Sequence, residues 1–215
     1  MKGRGRRPRR GRLLVIEGLD GAGTTTQARL LGERLRAEDR PVHVTAEPSA
    51  GPIGALVRQV LTRRVDGGPS GAFDPAALAL LFAADRIDHH AVEIAPKLAR
   101  GIDVVTDRYT LSSLAYQGLS VGDLAWVEAV NARAPAADLT VFLRARPAVA
   151  FRRRRSASID REIFELAAFQ RRVAKAYDRG VARLRAAGQR VVEVDGEAPV
   201  EAVAAAVWDA VSRVG

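Results

Sequence analysis

The chain has 215 residues, 47% of them apolar and none of them cysteine, with a formal net charge of +9. Its length and apolar content support a full buried core and exclude a disordered polymer, while the lack of cysteine excludes disulfides, thiolate nucleophiles and zinc-thiolate sites. Lys2, Arg4, Arg6, Arg7, Arg9, Arg10 and Arg12 carry seven of the nine charges, so the body is nearly balanced and signals no nucleic-acid-binding surface.

Residues 1–11, with glycine and proline among the arginines, read as a disordered basic tail, and residues 12–215 read as one domain. No apolar run approaches the roughly 20 residues of a membrane span, and the N-terminus carries no apolar region of signal-peptide type, so the expected location is cytoplasmic.

An apolar strand-like run at 12–17 leads into Gly18, Leu19, Asp20, Gly21, Ala22, Gly23, Thr24 and Thr25, and a helical pattern follows over 27–37. Glycines at 18, 21 and 23 let the backbone bend so that successive N–H groups and the positive end of the new helix point at one anion. This is the context of a phosphate-binding P-loop. The usual pattern has lysine at 24. Here Thr24 stands where a point charge normally meets the phosphates, while Thr25 keeps the hydroxyl that a magnesium ion uses. On its own, a glycine-rich strand-to-helix turn without lysine is equally read as a tight turn.

Further strand-like runs at 41–46, 102–106, 137–143 and 190–194 alternate with helical patterns. Gly67 to Gly71 reads as a flexible break before a long helical segment at 75–99, which Pro96 is placed to interrupt. Five strands alternating with helices predict an α/β fold with a parallel sheet covered by helices on both faces. Ligands then sit at the carboxyl ends of the strands, where the loop at 18–25 and Asp107-Arg108-Tyr109 should converge.

The sequence resembles the thymidylate kinase family. The carriers are Val15-Ile16-Glu17-Gly18-Leu19-Asp20-Gly21-Ala22-Gly23, Glu47-Pro48, Leu81-Phe82-Ala83-Ala84-Asp85-Arg86, Asp107-Arg108-Tyr109 with Ser112-Ser113 and Tyr116-Gln117-Gly118, and Asp160-Arg161 with Glu165. Their shared order covers about residues 12–214. The resemblance implies a P-loop nucleoside-monophosphate-kinase-like fold that moves the γ-phosphoryl of ATP to dTMP with Mg2+, in a homodimer, with a lid at about 152–161. It also implies that Asp20 accepts a hydrogen bond from the acceptor's 3′-hydroxyl, that Ser113 meets the thymine edge and that Tyr116 presses on the deoxyribose.

Several of these positions also make chemical sense. Phe82 and Arg86 are four apart, so a ring and a guanidinium share one helical face, suited to a pyrimidine with a carbonyl oxygen. Asp107 and Arg108 end a buried strand, where unpaired charge is costly; Arg108 suits phosphate oxygens, and Asp107 with Thr25 suits magnesium. Ser112 and Gln117 join the acceptor side. Arg152, Arg153, Arg154, Arg155 and Arg161 flank a short link at 156–159, and as lid residues they would supply the charge that the loop lacks.

Thr24 and Ala46 depart from the family pattern, Ala46 lying where many relatives carry an arginine. Arg58 and Arg108 are the expected substitutes toward the acceptor phosphate. Beside an active dTMP kinase, two readings stay open at this point: a kinase for another nucleotide, and a catalytically silent nucleotide-binding protein.

Overall fold

β1 (Leu13–Gly18) is buried along its whole length, as a strand with no polar alternation and helices on both faces must be. In the computed structural model, which describes residues 10–65, 67, 72–154 and 160–214, β1 is the centre of a five-stranded parallel sheet. Its neighbours are β2 (Val42–Ala46), β3 (Asp103–Asp107), β4 (Leu139–Arg144) and β5 (Val191–Asp195), in the order β2-β3-β1-β4-β5. All five lie within two residues of the runs that predicted them.

The connections are helices α1 (Thr24–Ala37), α2 (Pro52–Leu61), α3 (Pro75–His89), α4 (Ala95–Ala99), α5 (Thr110–Val121), α6 (Leu124–Asn131), α7 (Pro147–Arg154), α8 (Asp160–Ala186) and α9 (Val200–Ser212). Side chains of β1 alternate between two faces. Leu13 and Val15 pack with Ile94 and Leu98, whereas Leu14 and Ile16 join a larger cluster that contains Leu31, Leu35, Val207 and Val211. Among the described residues no helix is long and apolar enough to cross a membrane.

Strand register positions the site. Asp107 pairs with Ile16 of β1 on one side and with Ala46 of β2 on the other, so the loops leaving β1, β2 and β3 open at one edge of the sheet. This is the edge where a parallel α/β sheet binds ligands.

Two local expectations need correction. Pro96 does not interrupt the helical segment, because a wide π turn at His90–Ile94 precedes it. The N–H of Ala95 bonds to His90 O, five residues back, and this widening makes room where a proline ring would otherwise meet the carbonyl four residues before it. Arg10 and Gly11, expected in the basic tail, also have partners. Arg10 pairs with Asp138 at 3.0 Å, and the N–H of Gly11 donates to Leu98 O at 2.8 Å. Arg12, buried, grips Asp103 at 2.7 Å and the carbonyls of Val211 and Val214 at the end of α9. The rest of the tail (1–9), most of the glycine-rich break (68–71) and the link at 155–159 lie outside the described residues.

Candidate active site

The P-loop turns between β1 and α1 on two glycines in the left-handed region, Gly21 with φ 90° and Gly23 with φ 98°. A Cβ on Gly21 would stand 2.1 Å from the carbonyl oxygen of Ala150, so glycine also permits the close approach of α7. α1 begins at Thr24, three residues before its sequence periodicity, because Thr24 to Thr26 form a first turn whose N–H groups have no helical partner. These groups face a cleft of about 880 Å³ lined by Asp20 to Gln27, Asp107, Arg108, Arg153 and the segment Gly196–Val200.

Asp107 and Thr25 meet at the cleft floor. Thr25 Oγ1 donates to Asp107 Oδ2 at 2.5 Å. The other carboxylate oxygen, Oδ1, is buried and has no partner among the described residues. One carboxylate, one hydroxyl and the oxygens of a bound triphosphate make a hard oxygen donor set of the kind magnesium prefers, so the residues present fit that ion.

Arg108 has φ 75°, an uncommon conformation for a bulky residue. Its guanidinium is fixed by many partners. Nη2 donates to Asp20 Oδ1 at 2.6 Å, and Nη1 donates to Gly18 O, Ser112 Oγ and Tyr177 Oη at 3.1–3.2 Å. Burial opposes its charge, but the side chains of Tyr177, Tyr116, Asp20 and Glu17 outweigh burial and hold it protonated above its usual value.

Glu17, fully buried below the loop, accepts from the N–H groups of Tyr109 and Ser112 and from Ser112 Oγ. Burial pushes its carboxyl above the ordinary carboxylate range despite Arg108 and these donors.

A second cavity of about 340 Å³ is lined by Asp20, Glu47, Pro48, Leu61, Phe82, Arg86, Arg108, Ser112, Ser113, Tyr116 and Gln117. It is more apolar than the first, as a base and sugar require. Burial raises the Tyr116 hydroxyl to about 12, so the phenol is neutral there. Phe82 and Arg86 do share this wall, but Arg86 is no surface charge: it is 1% exposed and bonds to Glu47 at 2.8 Å and Ser113 at 2.9 Å. Asp20 and Arg108 line both cavities. They mark where contents of the two would meet.

Not every expected residue arrives. The side chain of Leu19 is in the core, and Gly18 contributes its carbonyl rather than a cavity wall. Arg58 lies outside both linings, with Nη1 donating to the carbonyl oxygens of Pro48 and Ser49. Arg152 is exposed and lines neither cavity. Arg153 reaches the cleft and donates to Gly196 O at 2.6 Å and Glu197 O at 3.0 Å. The side chains of Arg154, Arg155 and Arg161 lie outside the described residues.

Sequence reasoning missed Leu61, the rim at Gly196–Val200 and the internal braces Tyr177 and Asn131. The rim follows β5, so its place at the carboxyl edge of the sheet was the available signal. Tyr177 and Asn131 sit inside helical patterns and carry no such mark.

Comparison with known proteins points to one family. A family model described as Thymidylate kinase matches residues 16–207. The chain is 42% identical over 140 residues, 65% of its length and 67% of the relative's, to a "Probable thymidylate kinase" of Pyrobaculum calidifontis. It is 40% identical over 142 residues, covering 66% and 69%, to one so named from Pyrobaculum aerophilum. A chain from Aeropyrum pernix, whose name likewise gives thymidylate kinase only provisionally, is 39% identical over 186 residues, 86% of both.

Proposed function

The chain belongs to the thymidylate kinase family, and from that premise we propose how its own residues transfer the γ-phosphoryl of ATP to dTMP. One observation carries the reading: Asp20 and Arg108 line both the phosphate cleft and the smaller, more apolar cavity. ATP lies with its phosphates on the N–H groups of the loop, and dTMP lies in the second cavity beside Phe82 and Arg86. An oxygen of the dTMP phosphate attacks the γ-phosphorus, the bond from that phosphorus to the β–γ bridging oxygen breaks, and ADP leaves.

No strong base is needed, since the acceptor phosphate is already an anion; positioning and charge neutralisation carry the step. Arg108 donates to phosphate oxygens at the junction and exchanges part of its bonding to Asp20, which turns to the 3′-hydroxyl of the acceptor. Thr25 and Asp107 would hold Mg2+, which would neutralise phosphate charge there. Among the described lid residues Arg153 is the cation that lines the phosphate cleft, and residues 152–161 act as the lid. The kinase domain spans 12–215; cytoplasmic residence, expected from the sequence, and a homodimer, taken from the family resemblance, complete the reading.

A coupled assay with ATP, magnesium and each nucleoside monophosphate tests it. The expected result is preference for dTMP over CMP and UMP. Equal turnover of CMP and dTMP overturns the assignment of the acceptor, and no turnover of any monophosphate overturns the enzyme.

A further inference from the structure

A guanidinium carries five N–H groups, and the surroundings of Arg86 use nearly all of them. Nε donates to Glu47 Oε2 at 2.8 Å, Nη1 donates to Ser113 Oγ at 2.9 Å and to Asn131 Oδ1, and Nη2 donates to Tyr109 O at 3.1 Å. Among the described residues this leaves one N–H, on Nη2, for whatever enters the cavity that Arg86 lines.

Glu47 is the carboxylate that makes this so, and it is itself held. Its N–H donates to Asp107 O at 3.0 Å, which ties it to the end of β3. Its Oε1 faces Nδ1 of His89 in a long 3.4 Å contact, and His89 Nε2 lies 3.0 Å from Thr45 Oγ1 and 3.8 Å from Glu93 Oε2. In the tautomer where Thr45 donates to Nε2, the ring N–H is on Nδ1 and faces Glu47. Arg86 and His89 are three residues apart on one face of α3, so the carboxylate is gripped from two positions of a single helix. All three side chains are nearly inaccessible.

Resting on the dTMP reading, we propose that Glu47 and His89 are positioning residues that set base selectivity. Glu47 occupies Nε and neutralises Arg86, so the cavity presents one directed donor instead of a bare cation with several free N–H groups. Such a donor accepts a base edge that carries a carbonyl oxygen. It opposes one that carries an exocyclic amine, because a donor would then face a donor. His89 fixes the carboxylate rotamer that leaves the remaining N–H in place.

The test compares wild type with Glu47→Gln, His89→Leu and His89→Asn. Binding of dTMP and dCMP is measured calorimetrically without ATP, turnover of both is measured with ATP, and the Arg86 Nε–H resonance is followed by NMR. Glu47→Gln should shift that resonance, weaken dTMP binding about tenfold or more, as loss of a charge-assisted hydrogen bond predicts, and narrow the dTMP-to-dCMP ratio. The dTMP KM should rise while kcat and the ATP KM change little. His89→Leu should move the same quantities in the same direction, and His89→Asn, which keeps an N–H near the Nδ1 position, should restore them.

Folded Glu47→Gln protein with an unchanged ratio overturns the proposal, as does an equal loss for both nucleotides, which marks a merely structural role. Wild type that binds dTMP but does not phosphorylate it overturns the kinase reading alone, and the binding ratio still decides the role of Glu47. Wild type that binds neither monophosphate overturns both.

Discussion

Thr25 Oγ1 donates to Asp107 Oδ2 at 2.5 Å, while Oδ1 of the same carboxylate is buried with no partner among the described residues. A buried acceptor left unpaired is costly, and a cation bound in this position would remove the cost. Asp107→Asn and Thr25→Val should each raise the magnesium concentration needed for half-maximal activity by about tenfold or more, the scale seen when metal surroundings are altered. A magnesium titration of the Asp107→Asn protein that superimposes on wild type would take Asp107 out of the metal site.

Arg108 is held by Asp20, Gly18, Ser112 and Tyr177 together, in a backbone conformation that a bulky residue seldom adopts. Such preorganisation suits a donor aimed at developing phosphate charge. Arg108→Ala should lower kcat/KM by on the order of 10² or more. Arg108→Lys should not rescue it, because one ammonium cannot span four partners arranged for a planar fork. Unchanged activity in folded Arg108→Ala protein would assign the role elsewhere.

Arg86→Ala should raise the KM for dTMP more than it lowers kcat, since the lost contact is to a part of the substrate that does not react. It also strands Glu47 as a buried charge, at a cost of about 3–5 kcal/mol by analogy with other broken buried pairs. The melting temperature should therefore fall as well. A variant with wild-type dTMP KM would show that the base is read by other groups.

The sheet was legible because its strands are apolar runs punctuated by turn residues, and burial on both faces leaves few other places for them. The phosphate loop was legible because its glycines serve backbone geometry, which is local in sequence. What stayed hidden was contact between distant elements. Nothing in the sequence near Tyr177 tells that its hydroxyl lies 2.9 Å from Gly18 O, 159 residues away. Nor does a helical pattern show that Asn131 pairs with Arg86, or that Arg58 turns to the carbonyls of its own loop. Pro96 misled for a related reason, because a π turn is a property of the whole helix and carries no fixed residue signature.

Glu17 gives the protein a pH dependence with a definite sign. Burial raises its folded-state pKa above the ordinary value of 4.5, so the folded chain keeps the proton to a higher pH than the unfolded chain does. The stability this contributes is complete below 4.5 and is lost as pH climbs through the raised folded value. Urea midpoints measured across this range should fall with rising pH in wild type, and Glu17→Gln should flatten that slope. Parallel curves for the two proteins would mean that Glu17 does not titrate in this window.

The remaining prediction concerns the absent lysine. Thr24 is buried, its methyl lying 3.1 Å from where a Cβ on Gly18 would stand, so the loop offers N–H groups and no positive charge to the β and γ phosphates. Among the described residues the cations lining the cleft are Arg108 and Arg153. With Arg108 proposed for the junction with the acceptor, Arg153 is, among the described residues, the cation proposed to approach the bridging or terminal oxygens when the lid closes. Its present bonds to Gly196 O and Glu197 O hold it at the rim, and phosphate oxygens are stronger acceptors for a guanidinium than neutral carbonyls are. Arg152, Arg153, Arg154, Arg155 and Arg161 should each be replaced by alanine, with kcat and ATP binding measured separately. Arg153→Ala should lose kcat by on the order of 10³, as removal of an arginine finger does, while ATP still binds. Thr24→Lys should then give a modest gain or a loss in wild type, since the charge is already supplied, but should partly rescue Arg153→Ala. Near-normal turnover in all five alanine variants would end the idea of lid compensation. A gain of several orders of magnitude from Thr24→Lys alone would show instead that the missing lysine is an uncompensated defect.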